Sequence, residues 1–258
     1  MGCYPIFCCR HWRELGHDIR ALREDLVSLS LVADPFGDYN PEDLHESFSV
    51  VVPFKEHYVV DLTLPVGAHY SRHHRRSVAR ANRAVHVQRC QEPRSLLDEW
   101  IQLFDLLIAR HQLSGVKAFS RVAFEKQLLI PGLVAFRATH AGETVGIHLW
   151  FEQGDVGYGH LGVTSARGHE LSASYALYAA AIEWFAGRLH WLNLGGAAGS
   201  SAGEGSGLVD FKRGWATGVR QAYFCGTVLN ADAYTRLGTP NPRVRTDYFP
   251  AYRAGELG

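Results

Sequence analysis

The sequence predicts an α/β (α+β) protein in which a mixed, mostly antiparallel sheet is flanked by helices, with a small or incomplete N-terminal lobe ahead of it. Three observations carry that expectation. Leu133 to Thr139, Thr144 to Phe151 and Val156 to Val163 are β-rich runs joined by Ala141-Gly142 and Gln153-Gly154-Asp155, turn chemistry that links antiparallel neighbours. Glu170 to Gly187 then changes to helical periodicity, with Leu171, Tyr175, Tyr178, Ile182 and Phe185 on one stripe and Ala173, Ala176 and Ala180 elsewhere on its surface. A short apolar strand, His190 to Leu194, follows Gly187 and opens into six glycines between Gly195 and Gly207.

Composition bounds the rest. The chain has 258 residues, 47% of them hydrophobic and 20% charged, the balance of a globular protein with a sizeable core. Its 26 basic and 26 acidic residues cancel, which argues against a surface that grips nucleic acid or acidic lipid throughout. Five scattered cysteines form no disulfide framework, and Cys8-Cys9 without a second C-x-x-C pair makes a poor zinc site. Arg10 interrupts the only N-terminal apolar patch, Ile6 stands where a myristoylation signal needs Ser or Thr, and no run reaches the length of a membrane span. The expected location is therefore cytoplasmic. Residues 1–62 read as a partial N-terminal lobe, 63–238 as the core and 239–258 as a Pro-rich tail.

In chain order, residues 11 to 25 suggest a short surface helix. Val27 to Leu31 alternates as a half-buried strand, ended by the turn residues Asp34-Pro35-Phe36-Gly37-Asp38. Phe48 to Phe54 and Tyr58 to Leu62 read as a hairpin separated by Lys55-Glu56-His57. Leu62 to Gln91 then holds no acidic residue, while Arg72, Arg75, Arg76, Arg80, Arg83 and Arg89 crowd together with His69, His73, His74 and His86. As a helix, this segment places Arg72, Arg76, Arg80 and Arg83 on one face. Like charges at that spacing oppose helix formation, so either an anionic ligand or acids from another element must offset them. The same arginines would repel a metal from His69, His73 and His74. Ser95 to His111 is an amphipathic helix with Ser95 and Asp98 placed like a capping box, and Val122 to Leu129 a shorter one stopped by Pro131-Gly132. Val219 to Phe224 reads as a final strand.

The glycine run imitates three motifs. Gly199-Ser200-Ser201-Ala202-Gly203 matches a nucleophile elbow, but the strand ends too early and Gly203, Gly205 and Gly207 discourage a following helix. The dinucleotide fingerprint lacks its apolar helix, and the P-loop lacks Gly-Lys-Ser/Thr.

Trp191-Leu192-Asn193-Leu194-Gly195-Gly196, followed by Gly207-Leu208-Val209-Asp210-Phe211-Lys212-Arg213-Gly214, resembles the LGG…GL-x-x-FK-x-G segment of the FemAB-like branch of GNAT acyltransferases. His74-Arg75-Arg76-Ser77-Val78-Ala79-Arg80-Ala81 resembles that branch's RR-x-x-RRA segment. The resemblance covers about residues 60 to 225. It implies a GNAT-like fold and an N-acyltransferase that moves an acyl or aminoacyl group to an amine on a small molecule or peptide. The implied co-substrate is acyl-CoA or aminoacyl-tRNA, which makes tRNA a candidate partner, with no tightly bound cofactor and no metal. Arg167 to Ala173 departs from the family's pyrophosphate-binding turn by lacking its full glycine pattern.

Site residues follow from residue chemistry and this resemblance together. Lys212 is the candidate for stabilising the tetrahedral oxyanion or an anionic leaving group; the alternative is a snorkelling lysine on a strand edge. His160, Tyr175 and Tyr158 are candidates for contacting or deprotonating the amine, against a purely hydrogen-bonded core role for His160. Asn193, Gly195 and Gly196 would line the donor, with Phe211 and Arg213 beside it, and Arg75, Arg76 and Arg80 would meet its phosphates. A non-catalytic RNA- or phospholigand-binding module using the arginine helix is the other reading.

Overall fold

The computed structural model describes residues 6–68, 70–113, 115, 118–197, 207–238 and 248–254. The Gly199–Gly203 motif, most of the Pro-rich tail and His69 lie outside them. The elements in chain order are β1 (Ile6–Phe7), α1 (Leu15–Ala21), β2 (Ser28–Ala33), α2 (Pro41–Ser47), β3 (Val50–Asp61), α3 (Arg72–Ala81), β4 (His86–Cys90), α4 (Leu97–His111) and α5 (Arg121–Gln127). They continue with β5 (Leu133–His140), β6 (Glu143–Gln153), β7 (Val156–Thr164), α6 (Ala166–Glu170), α7 (Ala173–Phe185), β8 (Trp191–Asn193), α8 (Gly207–Arg213), β9 (Gly218–Val228) and α9 (Ala231–Leu237).

The chain forms two compact units that are discontinuous in sequence, where the linear reading suggests three consecutive segments. One comprises residues 1–57, 196–204 and 220–258, the other 58–195 and 205–219. In the first unit β1 runs parallel to β2, and β2 pairs antiparallel with β9 from Ser28↔Val228 to Ala33↔Tyr223. Trp12, Leu15, Ile19, Leu44, Phe48 and Cys225 form its core. α2 is an addition to the expected elements, and its signal is local: Asn40 and Asp43 make a reciprocal capping box and Pro41 opens the helix.

In the second unit the strand order is β3-β8-β7-β6-β5-β4. All neighbours are antiparallel except β7 and β8, which run parallel. Helices cover both faces. On one, α7 and α3 pack with Phe136, Trp150, Leu177, Ile182, Phe185 and Trp215. On the other, α4 and α5 contribute Trp100, Phe104 and Phe124 against Ile147, Leu149 and Val163.

Four local readings change. The hairpin across Lys55-Glu56-His57 is a single twelve-residue strand, β3; those three residues carry no turn chemistry and simply continue the extended backbone. Ser95 and Asp98 form no capping box: the Ser95 hydroxyl donates to the Glu92 carbonyl, and α4 starts at Leu97 without a side-chain cap. The helix expected over residues 170–187 starts later, at Ala173: Glu170 ends the separate short α6, and Ser172, whose φ of +60° is left-handed, stands between the two. Finally, Gly207 does not prevent a helix. It is the first residue of α8, a position outside the helix interior where glycine's cost is smaller.

Candidate functional site

The site begins where two parallel strands part. β7 and β8 pair over Val156↔Trp191, Gly157↔Leu192 and Tyr158↔Asn193; β8 then ends, while β7 continues to Thr164. Just past that point β7 carries a bulge against β6. Trp150 opposes Gly159 and Leu149 opposes Leu161, leaving His160 as the extra residue. A bulge leaves one residue outside the ladder and bends its strand, so it sharpens the divergence from β8.

Lys212 reaches this opening from α8. It is buried, and a Cβ placed on Gly195, two residues beyond the end of β8, would lie 3.3 Å from its Nζ. Gly195 has φ +75°, so glycine serves both the backbone turn and the approach of the ammonium. The strand-edge alternative for Lys212 is therefore overturned: it projects from a helix into the protein. Phe211 and Trp215, on either side of Lys212 in the chain, pack with Tyr175 and Tyr178 at ring separations of 4.8 to 6.0 Å.

Below Lys212 lies His148, which sequence reading missed. Its ring packs 4.6 Å from both Trp150 and Tyr178, and its Nδ1 has no hydrogen-bond partner among the described residues. Burial first, then the nearby charges of Lys212 and His160, push its pKa down to about 3. His148 is thus neutral at ordinary pH and leaves Lys212 as the cation at this point. Its only sequence signal is a histidine inside an otherwise apolar strand, Gly146 to Phe151.

His160 is not brought to Lys212. Its Nε2 bonds Gln127 of α5 at 2.9 Å and its ring meets Phe151, which puts it on the α4–α5 face, whereas His148 faces α7. Burial lowers its pKa to about 4, so the ring is neutral at ordinary pH. Tyr175 does stand against Phe211, the residue before Lys212. Its hydroxyl meets His73 Nε2 at 3.1 Å, and burial raises its pKa although Ser77 and Arg80 act the other way. It remains a phenol. Tyr158 is buried on β7 beside Asn193.

The donor-lining group divides. Asn193 is buried, and its Oδ1 accepts the Gly195 amide at 2.8 Å, so that amide is spent inside the turn instead of being offered to a ligand. Gly196 belongs to the other unit, where a Cβ would lie 3.1 Å from the Glu56 carbonyl oxygen. Arg213 pairs with Asp210 on the exposed side of α8 at 3.1 Å.

The arginine helix is real. Ser71 caps α3 by accepting the His74 amide. Arg75 donates to the Tyr70 carbonyl, and Arg80 donates to Ser172 Oγ at the head of α7. Among the described residues none of Arg72, Arg75, Arg76, Arg80, Arg83 or Arg89 forms an ion pair with a carboxylate. Among the described residues no acid of another element neutralises this face, which is exposed and cationic. No cluster of three His, Cys, Asp or Glu residues among those described is arranged to hold a metal, and no described helix is long and apolar enough to cross a membrane.

A buried cation at parting strands, next to a helix of unneutralised arginines, is the arrangement against which known families can be compared. The family model described as acetyltransferase (GNAT) domain matches residues 68–213, more than half of the chain. The chain belongs to this GNAT family. Solved structures share its fold. FemX aligns with a TM-score of 0.59 at 13% identity, covering 72% of this chain and 64% of FemX. The C-terminal domain (DUF2156) of a protein assigned as a lysylphosphatidylglycerol synthetase from Agrobacterium fabrum gives 0.61 at 17%, covering 83% of this chain and 72% of that one. L-PGS from Bacillus licheniformis gives 0.52 at 19%, covering 73% and 64% respectively. At such identities the likeness is one of fold, and it is consistent with the FemAB-like branch. The chain spans less than two thirds of FemX and of L-PGS. A search of curated proteins returned no match. Within the GNAT domain, the bulge at His160, the end of β8 and the arginine helix all fall inside the matched residues, as does Lys212.

Proposed function

We propose that this GNAT domain is an N-acyltransferase that moves an acyl or aminoacyl group from an activated donor to an amine, with acyl-CoA the favoured donor and aminoacyl-tRNA the other. The observation that supports it is the buried Lys212 ammonium at the parting of β7 and β8. The amine nitrogen attacks the donor carbonyl and forms the new C–N bond. The carbonyl oxygen takes up negative charge, which a preorganised cation stabilises by about 3–4 kcal/mol. Collapse breaks the bond to the thiolate or ribose oxygen, and the proton lost by the amine ends on that leaving group. Lys212 serves the oxyanion or the leaving group, Tyr175 the amine, and Arg75, Arg76 and Arg80 the donor phosphates. In this reading no cofactor is held tightly; the donor is a co-substrate.

The unpaired arginines also suit a non-catalytic RNA- or phospholigand-binding module. Native mass spectrometry of material carried through purification separates the readings, followed by turnover assays with each donor. A pantetheine mass and amide product select acyl-CoA, and co-purifying tRNA with aminoacyl transfer selects the second donor. RNA binding with a steep salt dependence and no transfer from any donor overturns the enzyme reading.

A further inference from the structure

His74 joins the arginine helix to the helix that carries Lys212. Its Nε2 lies 2.8 Å from the Phe211 carbonyl oxygen, an acceptor only, so Nε2 carries the proton and donates. Its Nδ1 then accepts from the Ser71 hydroxyl at 2.8 Å, while Ser71 Oγ accepts the His74 amide at 3.2 Å. A second link runs from the Ser71 amide to the Gly214 carbonyl at 3.0 Å. The ring lies against Gly214, where an added Cβ would collide with His74 Cε1, Nδ1 and Nε2. Trp215 stands edge-on to the ring at 4.7 Å, and Tyr175 and Phe211 close the remaining sides at 5.1 and 5.6 Å.

These contacts bracket Lys212, since Phe211 precedes it and Gly214 and Trp215 follow. α8 has seven residues, too few to hold its own shape in water, so its rotation must be set by what it touches. The neutral imidazole satisfies both helices at once, and burial, outweighing the pull of the Phe211 carbonyl, keeps its pKa below the usual range.

We propose that His74 is a positioning residue for Lys212: it clamps α8 to the N-terminus of α3, so the helix that collects the donor's phosphates also fixes the ammonium. The catalytic half of this statement rests on the acyl-transfer reading of Lys212; the clamp does not.

The experiment therefore has two arms on the full chain. The protein has four lysines, Lys55, Lys117, Lys126 and Lys212, so labelling by an amine-reactive ester is resolved residue by residue by mass spectrometry. His74→Ala should raise the labelling rate of Lys212 about tenfold through local opening, with the other three lysines unchanged. His74→Gln keeps an N–H for the Phe211 carbonyl and should hold the rate near wild type. In the second arm, kcat should fall about 10–100-fold in His74→Ala with a smaller change in donor KM, and recover in part in His74→Gln. Equal Lys212 labelling in wild type and His74→Ala overturns the clamp. Freed Lys212 with unchanged kcat overturns the positioning role. Absence of transfer in the wild type sinks the acyl-transfer reading, while the labelling arm still decides the clamp.

Discussion

The ammonium of Lys212 sits against the backbone of Gly195, with only 3.3 Å between its Nζ and the place a Cβ on that glycine would occupy. The helix after the glycine run thus delivers its cation to the end of β8. Lys212→Met keeps the length of the side chain and removes the charge. Turnover should drop about 10²–10³-fold, the loss associated with one oxyanion donor, with thermal unfolding close to wild type. A well-folded Met variant with unchanged turnover would remove Lys212 from the mechanism.

Gly195→Ala tests the other half of that contact. Alanine at φ +75° costs about 1–2 kcal/mol, and its methyl crowds the ammonium. Denaturant titration should show a loss of that size, and turnover should fall beyond what the stability loss explains. A neutral substitution would mean that the β8 turn relaxes and the glycine is not required.

The exposed arginines of α3 repel one another, and in the proposed reading they attract the donor. Replacing Arg72 and Arg76, an i,i+4 pair, by Gln should leave stability unchanged or raise it by about 0.2–0.5 kcal/mol. Donor affinity should weaken. If the donor is a polynucleotide, each lost phosphate contact lowers the slope of log K against log salt by about one. Thermal melts and binding at three salt concentrations read both effects, and unchanged affinity would move the phosphates elsewhere.

His160 predicts a pH dependence of stability. Its folded pKa, about 4, lies below the ordinary histidine value of 6.5. Below pH 6.5 the unfolded chain takes up a proton that the folded chain refuses, so this stability is complete above 6.5 and is lost as pH falls through 4. The slope is at most about 1.4 kcal/mol per pH unit for one group. His148, depressed to about 3, acts with the same sign to lower pH. His160→Gln should flatten the stability curve between pH 4 and 6.5, as followed by denaturant midpoints. An unaltered curve would show that His160 keeps its ordinary affinity for protons.

Much of the architecture could be read locally. The alternation of β5 to β7, the turns at Gly142 and Gly154, the amphipathic face of α4 and the arginine face of α3 are short-range patterns whose physical cause lies within a few residues of each position. The order of those pieces, with the Phe211-Lys212 segment after the glycines, was enough to point to the GNAT family. Other features depend on contacts far apart in sequence. α8 is a seven-residue helix whose propensity is too weak to declare it, and packing against His74, Tyr175 and Tyr178 helps to hold it. β3 is one strand of twelve residues that pairs with β8 over Val59 to Asp61, a long-range contact that no residue at 55–57 announces. The bulge at His160 redirects that side chain to α5, and a one-residue irregularity of this kind defeats any alternation count. His148 and His74 look in sequence like ordinary members of a strand and a basic helix. Burial beside Lys212 and the Phe211 carbonyl gives them their roles, and that proximity exists only once the sheet and its helices have packed.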